Sequence, residues 1–248
     1  MRSVRVDGFS DRRAVSDTLG FVLIFGIIVS TTAVVYVGGF DALTGARDAQ
    51  QFSNTERAFD ILDSNVDDLA VRGAPSRATE VLLSDGALGF GEPVTFNVST
   101  DGGASYQATT RPVVYRADDG DRLVYSNGAL FRQYGDRAVL FSEPRVSAGD
   151  RTLVPIVATE PASRGVSTDG TQRVLVRTTV SARDVESFST PANLTVTSPR
   201  AAAWEQYLEA EFGQNCDGPA DGRTGEVECP LPGEGVYVQG VYIDVAVA

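Results

Sequence analysis

Hydrophobic positions fall into three regimes along this chain. From Leu19 to Phe40, LGFVLIFGIIVSTTAVVYVGGF, apolar and small residues run without a charge. From Phe52 to Leu69 they recur at helical spacing: Phe52, Phe59 and Val66 follow one another every seven residues, and Leu62 and Leu69 come three after members of that series. Beyond Ala78 they gather in short runs punctuated by Asp-Gly and Asn-Gly pairs. Each regime predicts a different kind of element.

The first predicts a helix that crosses a membrane. Over Thr18–Phe40 it would span about 34 Å, against a hydrocarbon core about 30 Å thick. Arg2, Arg5, Arg12 and Arg13 precede it and a long acidic region follows. That asymmetry places the N-terminus in the cytoplasm and the remainder outside, as a single-pass membrane protein or a surface filament. The second regime predicts an amphipathic helix continuing from the first, ending near Arg72-Gly73 with Pro75 beyond. Its apolar stripe can dock on the domain that follows or form a seam between subunits; three heptads favour docking.

The third regime predicts strands at Thr79–Leu83, Pro93–Ser99, Val113–Arg116, Leu123–Tyr125, Ala129–Tyr134, Ala138–Phe141, Thr152–Ala158, Arg173–Ala182 and Asn193–Thr197. Turns are expected at Asp85-Gly86, Asp101-Gly102, Asp119-Gly120, Asn127-Gly128, Gly149-Asp150 and Asp169-Gly170, because Asp-Gly and Asn-Gly tolerate the positive φ of tight hairpins. Asn127-Gly128 is the clearest. A short helix follows from Ser198-Pro199, with Ser198 as its cap, Gly213 as its stop and Trp204, Leu208 and Phe212 on its buried face. A last strand runs from Gly235, more in keeping with burial in its own sheet than with donation to a neighbour. The fold class is therefore α+β: a long N-terminal transmembrane and amphipathic helix, then an antiparallel β-sandwich-like head with one short C-terminal helix.

Composition narrows the chemistry. The formal net charge is -12, which argues against nucleic acid as a partner. Every one of the 21 basic residues is arginine, and histidine is absent as well as lysine. A carboxylate-rich surface without lysine suggests adaptation to high salt, as in salt-loving archaea. Without histidine there is no Ser-His-Asp or Cys-His machinery, and without lysine no P-loop lysine or Schiff base. The sequence points to a non-enzymatic protein, with no catalytic, cofactor-binding or metal-binding residues and no cofactor. Asp118, Asp119 and Asp121 around Gly120 resemble a small calcium loop but lack EF-hand spacing, and read better as a solvated turn. Asp217, Asp221, Glu226 and Glu228 read the same way.

Three readings of the N-terminus arise from the residues: a cleaved signal with a faint site at Thr31-Thr32-Ala33, an uncleaved anchor, or a prepilin-type leader cut ahead of the apolar run. Paired arginines and a small residue at Arg12-Arg13-Ala14, followed by Val15-Ser16, suit the third. The segment RRAVSDTLGFVLIFGIIVSTTAVVYVGG resembles the N-terminal segment of haloarchaeal type IV pilin-like proteins, and Asp41 to Val81 also looks like a pilin-like family of that group. It departs from the commonest pattern at Asp17 and Thr18, where Pro and an aliphatic residue are usual. The resemblance implies cleavage between Ala14 and Val15 by a prepilin peptidase, with Arg13, Ala14 and Val15 carrying the processing. It also implies packing of the helix against membrane lipid or against like or related pilin subunits. The expected divisions are 1–14 leader, 15–40 transmembrane or assembly helix, 41–73 amphipathic helix and 78–248 extracellular β-rich domain.

Cys216 and Cys229, both beyond the membrane segment, close a short Gly/Pro/Asp-rich loop and are expected to form a disulfide. Asn97-Val98-Ser99 and Asn193-Leu194-Thr195 are glycosylation sequons on the exported side. The function expected is a cell-surface pilin-like structural subunit. The alternative is a non-polymerising membrane-anchored binding, adhesion or accessory domain.

Overall fold

The computed structural model describes residues 11–248, apart from the side chains of 11–17 and Asp41. Helix α1 covers Asp11–Ala70. It is followed by β1 (Ser76–Phe90), β2 (Val94–Thr100), β3 (Ser105–Thr110), β4 (Val113–Ala117), β5 (Arg122–Ser126), β6 (Ala129–Tyr134) and β7 (Arg137–Ser142). Then come β8 (Thr152–Pro161), β9 (Val166–Ser189), β10 (Ala192–Ser198), helix α2 (Ala201–Phe212), β11 (Gly225–Pro230) and β12 (Gly235–Val247). The protein is thus α+β, as its pattern predicts. Two compact units result, one ending at Gln51 and the other comprising Phe52–Ala248.

In the second unit, eight strands form one sheet in the order β7-β6-β5-β4-β1-β9-β12-β8, and four form another in the order β11-β10-β2-β3. The runs Val113-Val114-Tyr115, Leu123-Val124-Tyr125 and Ala129-Leu130-Phe131 are apolar at successive positions because both faces of the large sheet are covered. Val114, Val124 and Phe131 face the small sheet and α2. Tyr115, Leu123, Tyr125 and Leu130 face the stripe of α1, where Phe59, Leu62, Val66 and Leu69 are buried. The stripe therefore docks. In the other core, Trp204 is the hub: its ring meets Phe96 at 5.3 Å, Phe131 at 5.4 Å and Tyr207 at 6.3 Å, all edge-on.

Several expectations need correction. Asp85-Gly86 and Asp169-Gly170 are not hairpin turns but lie opposite each other inside the long β1–β9 ladder. Pairing passes from Ser84↔Thr171 to Gly86↔Thr168, a bulge that leaves Asp85 at φ 45. Gly86 is required there, since a Cβ would come within 2.7 Å of the Arg116 carbonyl oxygen. Strands β3 and β11 were not anticipated, because SYQATT and GEVECP each bury only alternate residues in otherwise polar runs. The head is not wholly antiparallel either: β12 pairs with β8 in parallel and with β9 antiparallel, all within its own sheet. Helix α2 starts at Ala201 with Arg200 at its N-cap. Ser198 still belongs to β10, and its hydroxyl accepts a hydrogen bond from the Arg200 N–H at 3.0 Å. The stop at Gly213 is as expected, with φ 62 and its N–H donating to the Glu209 carbonyl.

Ion pairs from β6 and from the β7–β8 loop hold the docked segment of α1. Arg132 pairs with Glu56, and the Nε of Arg145 donates to both carboxylate oxygens of Asp67 at 2.8 and 2.9 Å. The helix has no basic residue in its last turn, so its terminal carbonyls draw on the sheet: Arg183 donates to the Leu69 carbonyl and Gln239 to that of Ala70. Asp63 lies on the same segment without its own cation. Burial, then repulsion from Asp67 and Asp60, pushes its carboxyl up to about 7, against the opposing pull of Arg145 and a hydrogen bond with Ser142.

Two predictions arise here. Because the Asp63 pKa is raised on folding from an ordinary 3.8, its charge costs nothing below pH 4 and destabilises progressively as pH climbs through 7. Asp63→Asn should accordingly raise the urea midpoint at pH 8 and leave it unchanged near pH 4; equal gains at both pH values would contradict this account. Cys216 and Cys229 are bonded, tying the loop after α2 to the buried face of β11. Replacing both with alanine should lower the unfolding free energy by about 3 kcal/mol in urea titrations, by removal of the loop constraint from the unfolded chain.

Candidate functional site

The feature most distinct from an ordinary domain is the first part of α1. Its apolar side chains from Leu19 to Leu43 remain between 50% exposed, at Val29, and 73%, at Val34. No part of that apolar window is buried within the chain. In water such a surface is unfavourable at roughly 25 cal/mol per Å² of apolar area, so its stable environment is lipid or other apolar helices. The helix is long and apolar enough to cross a membrane. Two of its hydroxyls suit that setting: Thr31 donates to the Ile27 and Ile28 carbonyls at 2.9 and 3.0 Å, and Thr44 to the Phe40 carbonyl at 3.0 Å. These groups carry no unmet hydrogen bond into an apolar medium.

Gly20, Gly26, Gly38 and Gly39 all lie in this helix, and a Cβ at any of them would meet nothing within 4 Å. Each glycine weakens a helix by about 1 kcal/mol relative to alanine, and nothing in the chain's own packing requires them. Gly26, Ser30 and Ala33 follow at intervals of four and three, on one face. Small residues on one face allow two helix backbones to approach closely.

The side chains of Arg13, Ala14 and Val15 fall outside the described residues, as does the leader up to Ser10. The two sequons, nearly a hundred residues apart in sequence, are paired in the small sheet: Asn97↔Thr195, Val98↔Leu194 and Ser99↔Asn193. Val98 and Leu194 point into the core, so both asparagines stand on the outer face, each half-buried. The Asn193 amide donates to the Glu228 carboxylate at 2.7 Å. The acidic loop at 118–121 is the β4–β5 turn, where the Asp119 carboxylate accepts the Asp121 N–H at 3.0 Å. Asp221 accepts from the Thr224 hydroxyl at 2.7 Å and from the backbone N–H groups of Arg223 and Thr224 at 2.8 Å each, which together lower its pKa. Among the described residues, no group of three acidic or sulfur side chains is arranged to hold a metal ion.

One gathering of side chains was not foreseen. Arg116, Arg122, Arg200 and Arg223 converge on a single cleft although they come from β4, β5, the N-cap of α2 and the loop before β11. The only local signal was the position of Arg200 after Ser-Pro at a helix start. The rest depends on strand register, which single residues do not announce.

No curated protein and no solved structure matches the chain. A family model described as a family of unknown function, DUF7289, matches residues 13–247, and the chain belongs to that family.

Proposed function

We propose that this protein is a pilin-like structural subunit of the cell surface. In this reading a prepilin peptidase cuts between Ala14 and Val15, the apolar part of α1 anchors the protein in lipid or packs with like helices, and the disulfide-bearing β-rich head is presented outside. The supporting observation is a charge-free apolar helix with no internal packing partner, leading in sequence into an amphipathic segment docked on a head domain. The unforced glycines of that helix support close packing against further copies. The disulfide supports an oxidising compartment for the head. The cation-poor surface and the lack of histidine and lysine give no support to an enzyme, and the N-terminal resemblance to haloarchaeal type IV pilin-like proteins favours the subunit reading over a solitary anchored domain.

The test is the intact mass of the protein from its native cells, combined with fractionation of sheared surface material. A mature chain beginning at Val15 and recovered in filaments is expected. A chain still beginning near Met1 and confined to membranes would overturn the subunit and leave an anchored accessory or binding domain. Gly26→Leu is expected to reduce filament recovery at least several-fold without altering the amount of folded, disulfide-bonded protein in the membrane fraction.

A further inference from the structure

Three oxygen-bearing side chains from three different strands meet between the two sheets. Tyr106 comes from β3, at the edge of the small sheet, and Asp184 and Tyr242 come from β9 and β12 of the large one. The Tyr106 hydroxyl donates to Asp184 Oδ1 at 2.7 Å and lies 3.1 Å from the Tyr242 hydroxyl, which stands 3.4 Å from Asp184 Oδ2. Each phenol has one proton, and two protons cannot fill three oxygen–oxygen contacts. One contact therefore always sets lone pair against lone pair.

The backbone makes room for this convergence. Asp184 and Gly240 are directly opposite in the β9–β12 pairing, and Tyr242 follows two residues along the same face. A Cβ at Gly240 would stand 2.0 Å from both Asp184 Oδ1 and the Tyr106 hydroxyl oxygen. Gly240 does not have the positive φ that would by itself call for glycine. A glycine inside a strand weakens it and often marks a point of close approach; here it supplies the space in which the three oxygens gather. Burial, then hydrogen bonds with Tyr242 and Asp184, raises the Tyr106 pKa, so this phenol keeps its proton until a strongly polarising cation displaces it.

We propose that Tyr106, Tyr242 and Asp184 form a binding site for a hard trivalent cation, ferric iron, with the two phenol oxygens and the carboxylate as its ligands. Separations of 2.7, 3.1 and 3.4 Å bracket the roughly 2.9 Å between neighbouring oxygens of an octahedron with bonds of about 2.0–2.1 Å. On binding, each phenol loses its proton to solvent and coordinates as a phenolate. Two phenolates and one carboxylate then carry three negative charges, which a trivalent ion balances and a divalent ion does not. All three ligands are oxygens, the donor type that hard cations take. Asp184 is exposed and Tyr242 half-buried, so the ion can enter from solvent and complete its coordination with water. The Cys216–Cys229 disulfide points to an oxidising setting, in which iron is ferric. This reading does not rest on whether the apolar helix assembles into filaments.

Titration of the detergent-solubilised full chain with ferric nitrilotriacetate, followed by visible absorption, tests it, with calcium chloride as competitor. Saturable uptake with a phenolate-to-iron charge-transfer band is expected, and excess calcium should not displace the iron. Tyr106→Phe and Tyr242→Phe should each weaken uptake at least tenfold, and the double variant should lose the band. Tyr242→Phe, at a half-buried position, should act with unchanged thermal unfolding of the iron-free chain, which keeps the test valid if Tyr106→Phe misfolds. Gly240→Ala should also weaken uptake, by crowding Asp184 and Tyr106 apart. Iron taken up without the band would mean adsorption on surface carboxylates and would overturn the proposal. A band that survives both phenylalanine changes, displacement of iron by calcium, or no ferric uptake at all would overturn it as well.

Discussion

The eight-stranded sheet has to be covered on both faces, and the rest of the head follows from how that is done. One face takes the amphipathic segment of α1, the other the small sheet together with α2. Strands buried on both sides cannot alternate apolar and polar residues, so the central β4, β5 and β6 carry apolar residues in tandem. Outside that covered zone the same strands turn polar at once. The step from Val114, Val124 and Phe131 to Arg116, Arg122 and Gln133 marks where the cover ends. The cleft is therefore the rim of the core, where the N-terminus of α2 leaves the sheet face open.

The two halves of α1 obey opposite demands. From Leu19 to Phe40 the helix is apolar on every side, whereas from Phe52 its apolar residues are confined to one stripe and its carboxylates meet Arg132 of β6 and Arg145 of the β7–β8 loop. The first half contributes nothing to the head's core, and the second is part of it. The stability of the head is consequently separable from whatever surrounds the apolar segment. A glycine in the first half is neutral to the head, while a cavity at Phe59 or Leu62 would be felt across the sheet.

Much of this was legible in the sequence, for reasons that differ by element. The apolar segment was legible because length and absence of charge are local properties. The docked stripe was legible because helical period is also local, and Asn127-Gly128 because its positive φ values, 53° and 73°, need those two residue types. Asp85-Gly86 carried the same local signal and meant something else. Its partner strand, β9, is long enough to run past it, and that depends on pairing with residues eighty positions away. Strands β3 and β11 were hidden because edge positions of the small sheet bury only one face of two or three residues. The arginine cleft was hidden for the same long-range reason. Arg116 and Arg122 are close in sequence, but their convergence with Arg200 requires the register of three strands and the placement of α2.

Strand β12 makes one cooperative unit of the two cores. It lies between β9 and β8, supplies Val236 and Val238 to one core and Val241, Ile243, Val245 and Val247 to the other. Without it β8 has no partner in the large sheet, the amphipathic segment of α1 lacks four of the residues it packs on, and neither core can close. A change that loosens β12 therefore opens both faces of the large sheet at once, and local unfolding confined to one core is denied to the head.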